Sequence, residues 1–319
     1  MSGAIVAANA VAAFARHETF HPRFGWLRKA YEATVADPAV FQSQTATVDL
    51  GVGKNMVHAI RYWGQAFKVI EEAPNEDRPR MPLLVPTEFG HQLFGENGWD
   101  PYLEESGSLW LLHWKLLTPR VLAPTWWVAF HHFTPRQFPE QQLVDLVAEL
   151  ADAAGWPPVV ESSIQKDVDC LVRTYTPRRH GRSGLDDLLD CPFRELGLLE
   201  PSAGDDRQWR FVIGEKSSLP DELVAYACLD YATRQGDTAS SISVARLATE
   251  VGSPGLAFRL PEPALYAALN RVVPIVRELT LAEPGGLRQL LWERPPGELA
   301  AELLERFYAP DYAAMAPSA

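Results

Sequence analysis

The chain has 319 residues, 47% of them hydrophobic, and a formal net charge of −12. That length holds two or three modest domains with a real core, which excludes global disorder. The acidic balance excludes a protein that coats nucleic acid through its overall charge, but it leaves a local basic face open, because screening acts over about 8–10 Å.

The first residues, "MSGAIVAANAVAAF", are apolar without a charged n-region, so no signal peptide is read. "FGWLRKAYEATVADP" predicts a helix with Phe24, Leu27, Tyr31 and Val35 on one buried stripe, stopping at Asp37-Pro38. A short polar helix over about residues 43–49 follows, then a turn at Gly51 and Gly53. The next helix buries Met56, Ile60, Trp63, Phe67 and Ile70, and it turns Lys54, Asn55, His58, Arg61 and Tyr62 outward. "PLLVPTEFG" reads as a strand and a new helix start at Thr87. Helix, helix, glycine turn, helix and wing is the order of a winged helix-turn-helix.

"SLWLLHWKLL" and "TWWVAFHHF" are apolar nearly all round and read as buried helices, with His131 and His132 structural. A second helix-turn-helix candidate spans "EQQLVDLVAELADAAG" and "SSIQKDVDCLVRTYTPRRHGRSG". In it Ser162 and Gln165 make a capping box, and Ile164, Val168, Leu171 and Tyr175 form the inner stripe. Lys166 and Arg173 face outward there, and Arg178, Arg179 and Arg182 extend the basic run. "WRFVIGEK" reads as the matching strand or wing. After the helix "DELVAYACLDYATRQG", "SISVARLATEVGSPGLAFRLPEPALYAALNRVV" reads as helix, turn, small hairpin and helix. The predicted fold is therefore mainly α, built of winged helix-turn-helix modules with small β-hairpin wings: a winged-helix-like domain at residues 16–100, a helical middle with the second helix-turn-helix candidate at 101–220, and a helical, winged-helix-like domain at 221–310. No stretch approaches the ~20 unbroken apolar residues of a membrane span. Cys170, Cys191 and Cys228 form no C-x-x-C pair; the odd count argues against a disulfide framework or closed zinc site and fits a reducing cytoplasm.

Several catalytic motifs are excluded. "GVGK" lacks the first glycine and the final Ser or Thr of a phosphate loop. The residues two before the lysines are Leu27, Val52, Ala66, His113, Ile164 and Gly214, so the metal-nuclease carboxylate–lysine spacing is absent. There is no H-E-x-x-H and no G-x-S-x-G. The densest polar constellation is "RHETFHPRFGW", where His17, Glu18, His21 and Arg23 could together hold a divalent metal, position water and grip a phosphate. The same residues also read as structural, with His17 and His21 buried and Arg23 paired with Glu18. Asp167 and Asp169, two apart on a helix, do not share a face and read as a solvated flank. On the glycine-turn helix, Lys54 and Arg61 suit the DNA backbone, and Asn55 or His58 suits base edges.

The stretches "HETFHPRFGWLRKA", "LGVGKNMVHAIRYW", "DPYLEESGSLWLLHW", "SSIQKDVDCLVRTY", "CPFRELGLL", "GSPGLAFRLPE" and "GLRQLLW" resemble, in order, the bacterial family of domain of unknown function 4007. The resemblance covers roughly residues 17–292. That family is associated with DNA phosphorothioation, in which sulfur replaces a non-bridging phosphate oxygen. The resemblance implies a DNA-binding protein that nicks one strand so that sulfur can be inserted, with Mg2+ or another divalent metal. It also implies partners: a cysteine desulfurase, an ATPase and a sulfur-inserting ATP pyrophosphatase. The family's motif residues fall here on His17, Glu18, Arg23, Lys54, Asn55, Arg61, Asp167, Asp169 and Arg173. The expected catalytic residues are His17, Glu18 and His21. The expected DNA contacts are Arg23, Lys54, Asn55, His58, Arg61, Lys166, Arg173, Arg178, Arg179 and Arg182. The alternative is a non-catalytic winged-helix adaptor or regulator; a homo-oligomer stays open.

Overall fold

A computed structural model describes residues 2–176, 190–202, 204–236 and 239–309; Arg178, Arg179 and Arg182 lie outside them. The described chain is mainly α-helical with small antiparallel sheets, and it divides between Phe211 and Val212 into two compact units.

In the first unit, helix α1 (Ser2–Asn9) precedes an irregular stretch that leads to α2 (Trp26–Ala36). Gly25, left-handed at φ 77°, is the N-cap of α2, so the helix starts one residue past it. That start moves the buried stripe to Trp26, Leu27, Ala30, Tyr31 and Thr34, whereas Phe24 and Val35 are 41% and 54% exposed, contrary to the sequence expectation. Helix α3 (Ala46–Asp49) and the left-handed Gly51 then turn the chain into α4 (Lys54–Ala66). Lys29 Nζ donates to Leu50 O at 2.8 Å and ties α2 to that turn. At Gly64 a Cβ would lie 2.9 Å from Ala30 Cβ, so its absence lets α4 approach α2.

Lys54, Asn55 and His58 are exposed as expected, but Tyr62 is buried and its hydroxyl donates to Leu122 O at 3.1 Å. Tyr62 lies one residue from Trp63, on the border of the apolar stripe, so the helix turns it inward. Strands β1 (Ile70–Ala73) and β2 (Leu83–Pro86) form an antiparallel pair. Helix α5 (Glu88–Phe94) follows, and the Thr87 hydroxyl caps it by accepting from Gly90 N at 2.9 Å. Helices α6 (Ser106–Leu116) and α7 (Pro124–His131) are buried on nearly every side. Trp63, Trp110, Trp114, Trp126 and Trp127 are among the largest fully buried side chains, so the tryptophan-rich middle is core.

Strand β3 (Gln137–Pro139), α8 (Glu140–Ala153), α9 (Glu161–Tyr175), β4 (Leu199–Ser202) and β5 (Asp205–Phe211) complete this unit, with sheet order β3-β5-β4. Ile164, Val168, Leu171 and Tyr175 are fully buried on α9. The expected capping box is absent. Val160 is the N-cap, without a side-chain cap, and Gln165 instead donates to Asp169 and Glu140.

The second unit contains α10 (Asp221–Arg234), β6 (Ser241–Ser243), α11 (Val244–Thr249), α12 (Pro254–Ala257), α13 (Glu262–Val272), β7 (Leu279–Ala282), β8 (Gln289–Trp292) and α14 (Pro296–Phe307). Its sheet order is β6-β8-β7. The hairpin expected between helices within residues 241–273 is not there. The glycine and proline signals of "GSPGLAFRLPE" serve helix ends, and the hairpin β7–β8 comes after α13. Among the described residues no helix is long and apolar enough to cross a membrane.

Candidate functional site

The segment from Ala15 to Arg23 carries most of the expected chemistry, and α9 holds it. Ala15, Glu18 and Thr19 are left-handed, with φ of 54°, 52° and 66°, a conformation that disfavours side chains with a Cβ. Tertiary bonds impose it. Asp167 Oδ1 accepts from Ala15 N at 2.7 Å and meets His17 Nε2 at 2.9 Å. Asp167 Oδ2 accepts from the Thr125 hydroxyl at 2.9 Å. Trp63 Nε1 donates to Phe20 O at 2.9 Å, and Arg173 Nη2 donates to Thr19 O at 2.9 Å. His17 and Asp167 are 0% and 2% exposed, and the imidazole stacks on Trp63 at 5.9 Å between centroids. Asp167 is thus a buried partner rather than a solvated flank; only Asp169, on the other face of α9, is partly exposed.

The three expected catalytic side chains are therefore not brought together. His17 faces the core, Glu18 Oε1 lies 3.6 Å from His58 Nδ1 on α4, and His21 faces Asp190. Arg23 pairs with Asp190 at 3.8 Å rather than with Glu18.

Around His21 the side chains do converge. Thr19, Phe20, His21, Arg23, Arg173, Thr176 and Arg194 line a cavity of about 380 Å³. Its floor is buried: His21 is 6% exposed and Arg194 is 7% exposed. Asp190 Oδ2 lies 3.1 Å from both His21 Nε2 and Arg194 Nη2. Arg194 Nε also donates to Arg173 O at 3.1 Å. The rim is open. Arg23 sits over the rings of Phe20 and Trp26, 5.5 and 5.4 Å from their centroids. Arg173 is exposed, and it donates to the carbonyls of Asp169 and Thr19. Among the described residues, three guanidinium groups thus face one carboxylate. A second cavity of about 560 Å³ shares Thr19, Arg173 and Thr176 and runs on to Lys166, Asp169, Glu140 and Trp209.

Burial pushes the His21 imidazole down to about 4, against a smaller upward pull from Asp190. The folded state keeps it neutral, while the unfolded chain protonates it more readily, so the unfolded state binds more protons between about pH 6.5 and pH 4. The penalty is absent above pH 6.5, grows as pH falls and is complete below about pH 4, where it reaches about 3 kcal/mol. Urea melts across this range should show that loss for the wild type and a flatter profile for His21→Gln; equal slopes would remove the assignment.

Other expected contacts are placed differently. On α4, Lys54 and Asn55 stand clear, but Arg61 Nη2 is 3.6 Å from Glu72 and His58 is beside Glu18, so carboxylates offset part of that face. Arg194 and Asp190, which complete the basic cavity, had no sequence signal beyond their place in and beside "CPFRELGLL". For a resident metal the fit is poor. Among the described residues no three His, Cys, Asp or Glu side chains converge. The Glu140 and Asp169 carboxylates are bridged by the Gln165 amide, at 3.3 and 2.7 Å, and both Asp167 oxygens are already taken.

Two solved structures are similar to the chain, both of SspB and one of them magnesium ion-bound. Each is 45% identical with a TM-score of 0.90, over 98% of this chain and 92% of that one. A comparison with curated proteins finds no match. The family model described as "Protein of unknown function (DUF4007)" matches residues 14–308, and the chain belongs to that family.

Proposed function

We propose that this chain binds DNA as part of a phosphorothioation system and grips the sugar–phosphate backbone along the track Arg23–Arg173–Lys166. The carrying observation is that, among the described residues, Arg23, Arg173 and Arg194 gather beside the single carboxylate Asp190 in a cavity that shares Thr19, Arg173 and Thr176 with the Lys166 groove, within a molecule of net charge −12. Phosphate contacts of this kind set affinity and position rather than sequence choice. Lys54 and Asn55 on α4 extend the track, with His58 and Arg61 held back by Glu18 and Glu72. The orders α2–α3–α4–β1–β2, β3–α8–α9–β4–β5 and β6–α11–α13–β7–β8 read as three winged modules, within residues 16–100, 101–220 and 221–310.

The system's other proteins, a cysteine desulfurase, an ATPase and a sulfur-inserting ATP pyrophosphatase, are the expected partners in the cytoplasm. Nicking of one strand is the enzymatic form of this reading, favoured by the magnesium-bound SspB structure. A non-catalytic adaptor is the alternative.

Titration of a labelled duplex at rising salt tests binding. Affinity should fall with a slope of about −0.9 per phosphate neutralised, near −3 for the track cations Arg23, Arg173 and Lys166. No binding at about 50 mM salt would sink the reading. Supercoiled plasmid incubated with and without Mg2+ then separates nickase from adaptor, since only the nickase yields open circles.

A further inference from the structure

The cavity has a feature that backbone tracking does not use. Its floor lies below the exposed rim formed by Arg23 and Arg173 and consists of His21 and Arg194, both more than nine-tenths buried. A duplex phosphate is flanked by a sugar on each side and presents two non-ester oxygens. It can meet the rim, but its two ester neighbours hold it off the floor.

His21 adds a chemical requirement. Its Nε2 lies 3.1 Å from Asp190 Oδ2, and a carboxylate only accepts, so the imidazole proton sits on Nε2. Nδ1 is then an acceptor, and it is buried without a hydrogen-bond partner. Burial keeps the ring neutral at physiological pH, so Nδ1 stays an acceptor there. A buried acceptor left unpaired is costly, and such a group calls for a ligand or water that donates to it. Arg23 Nε is likewise buried without a hydrogen-bond partner, 3.8 Å from Asp190 Oδ1. The cavity therefore presents cations for anionic oxygens beside a buried acceptor that a bound water can satisfy. An internal phosphodiester carries one negative charge on two non-ester oxygens, whereas a terminal phosphomonoester carries about 1.5 to 2 on three.

We infer that this cavity receives the phosphomonoester at a strand end of DNA, with the terminal phosphate on Arg23 and Arg173 and a water between it and His21 Nδ1. This rests on the DNA-binding reading and narrows it. The rim cations follow the intact backbone, and the floor holds an end produced by a break in one strand. For a protein acting at a nick, that would keep the broken strand in register until the next enzyme acts.

Fluorescence anisotropy with four duplexes of one sequence tests the inference. They are intact, nicked with a 5′-phosphate, nicked with a 3′-phosphate, and nicked with hydroxyls on both sides. One of the two phosphate-bearing nicks should bind about tenfold tighter than the hydroxyl nick, and the arm that does so gives the polarity. Arg23→Gln should bring that ratio below about threefold, and Arg23→Lys should restore part of it. Equal affinity for phosphate and hydroxyl nicks, with the intact duplex still bound, would overturn the inference and leave DNA binding standing. Failure to bind any of the four would overturn both.

Discussion

Arg173→Glu should weaken DNA binding about 100-fold at low salt, the largest effect of any single surface change in this protein. Of the residues that both cavities share, Thr19, Arg173 and Thr176, Arg173 carries the charge, so a charge placed there acts on the floor-and-rim cavity and on the Lys166 groove together. Its reversal removes one phosphate contact and sets a carboxylate against the same phosphate. Near a surface, one unit charge on another at contact is worth on the order of 1–4 kcal/mol, and about 2.7 kcal/mol corresponds to 100-fold. The salt slope should fall by about one, because one fewer counterion is released. Arg173→Gln should lie between the variant and the wild type, and Arg173→Lys close to the wild type, since backbone phosphates respond to charge before fork geometry. Arg173 also donates to Thr19 O and Asp169 O, so a melt must accompany the titration. A Gln variant and a Glu variant that melt alike but bind differently isolate the electrostatic effect. Identical affinities for Lys, Gln and Glu would remove this groove from the interface.

What the sequence displayed and what it hid follow from the range of the interactions. The inner stripe of α9 was legible because Ile164, Val168, Leu171 and Tyr175 repeat with the helical period, and all are fully buried. The Thr87 cap and the Gly51 turn were legible for the same reason: their chemistry is complete within a few residues. Asp167 was misread because its partners, Ala15, His17 and Thr125, are 152, 150 and 42 positions away in the chain, and a lone acid on a helix reads as solvated. Arg194 escaped for a related reason. It lies in a short helical turn beside Cys191 and Pro192, with no cluster of charge around it, and becomes part of a basic cavity only because Asp190 and His21 meet it. The strands of the second unit span three or four residues each, too few to show a period of two, so the glycines and prolines between helices read as a hairpin.

The Asp167 cluster makes the remaining prediction, and it turns on whether His17 serves chemistry or architecture. In Asp167→Ala, three buried groups lose their partner at once: His17 Nε2, the Thr125 hydroxyl and the Ala15 amide. Each such loss costs roughly 1–3 kcal/mol, and breaking a buried pair typically costs about 3–5 kcal/mol. The left-handed residues Ala15, Glu18 and Thr19 add to the effect, because the bonds that hold them in that conformation include the one to Asp167. A loss of about 3–5 kcal/mol should appear as a drop of about 10 °C in the melting temperature of this unit. Tryptophan fluorescence is a suitable readout, since His17 packs against Trp63 and Trp126. Glu18→Ala, at a half-exposed side chain beside His58, should stay within about 0.5 kcal/mol. The double variant His17→Ala with Asp167→Ala should cost less than the two single changes added together, the signature of a direct contact. If Asp167→Ala instead melts like the wild type and abolishes strand nicking, the buried pair is part of the chemistry and its structural role falls.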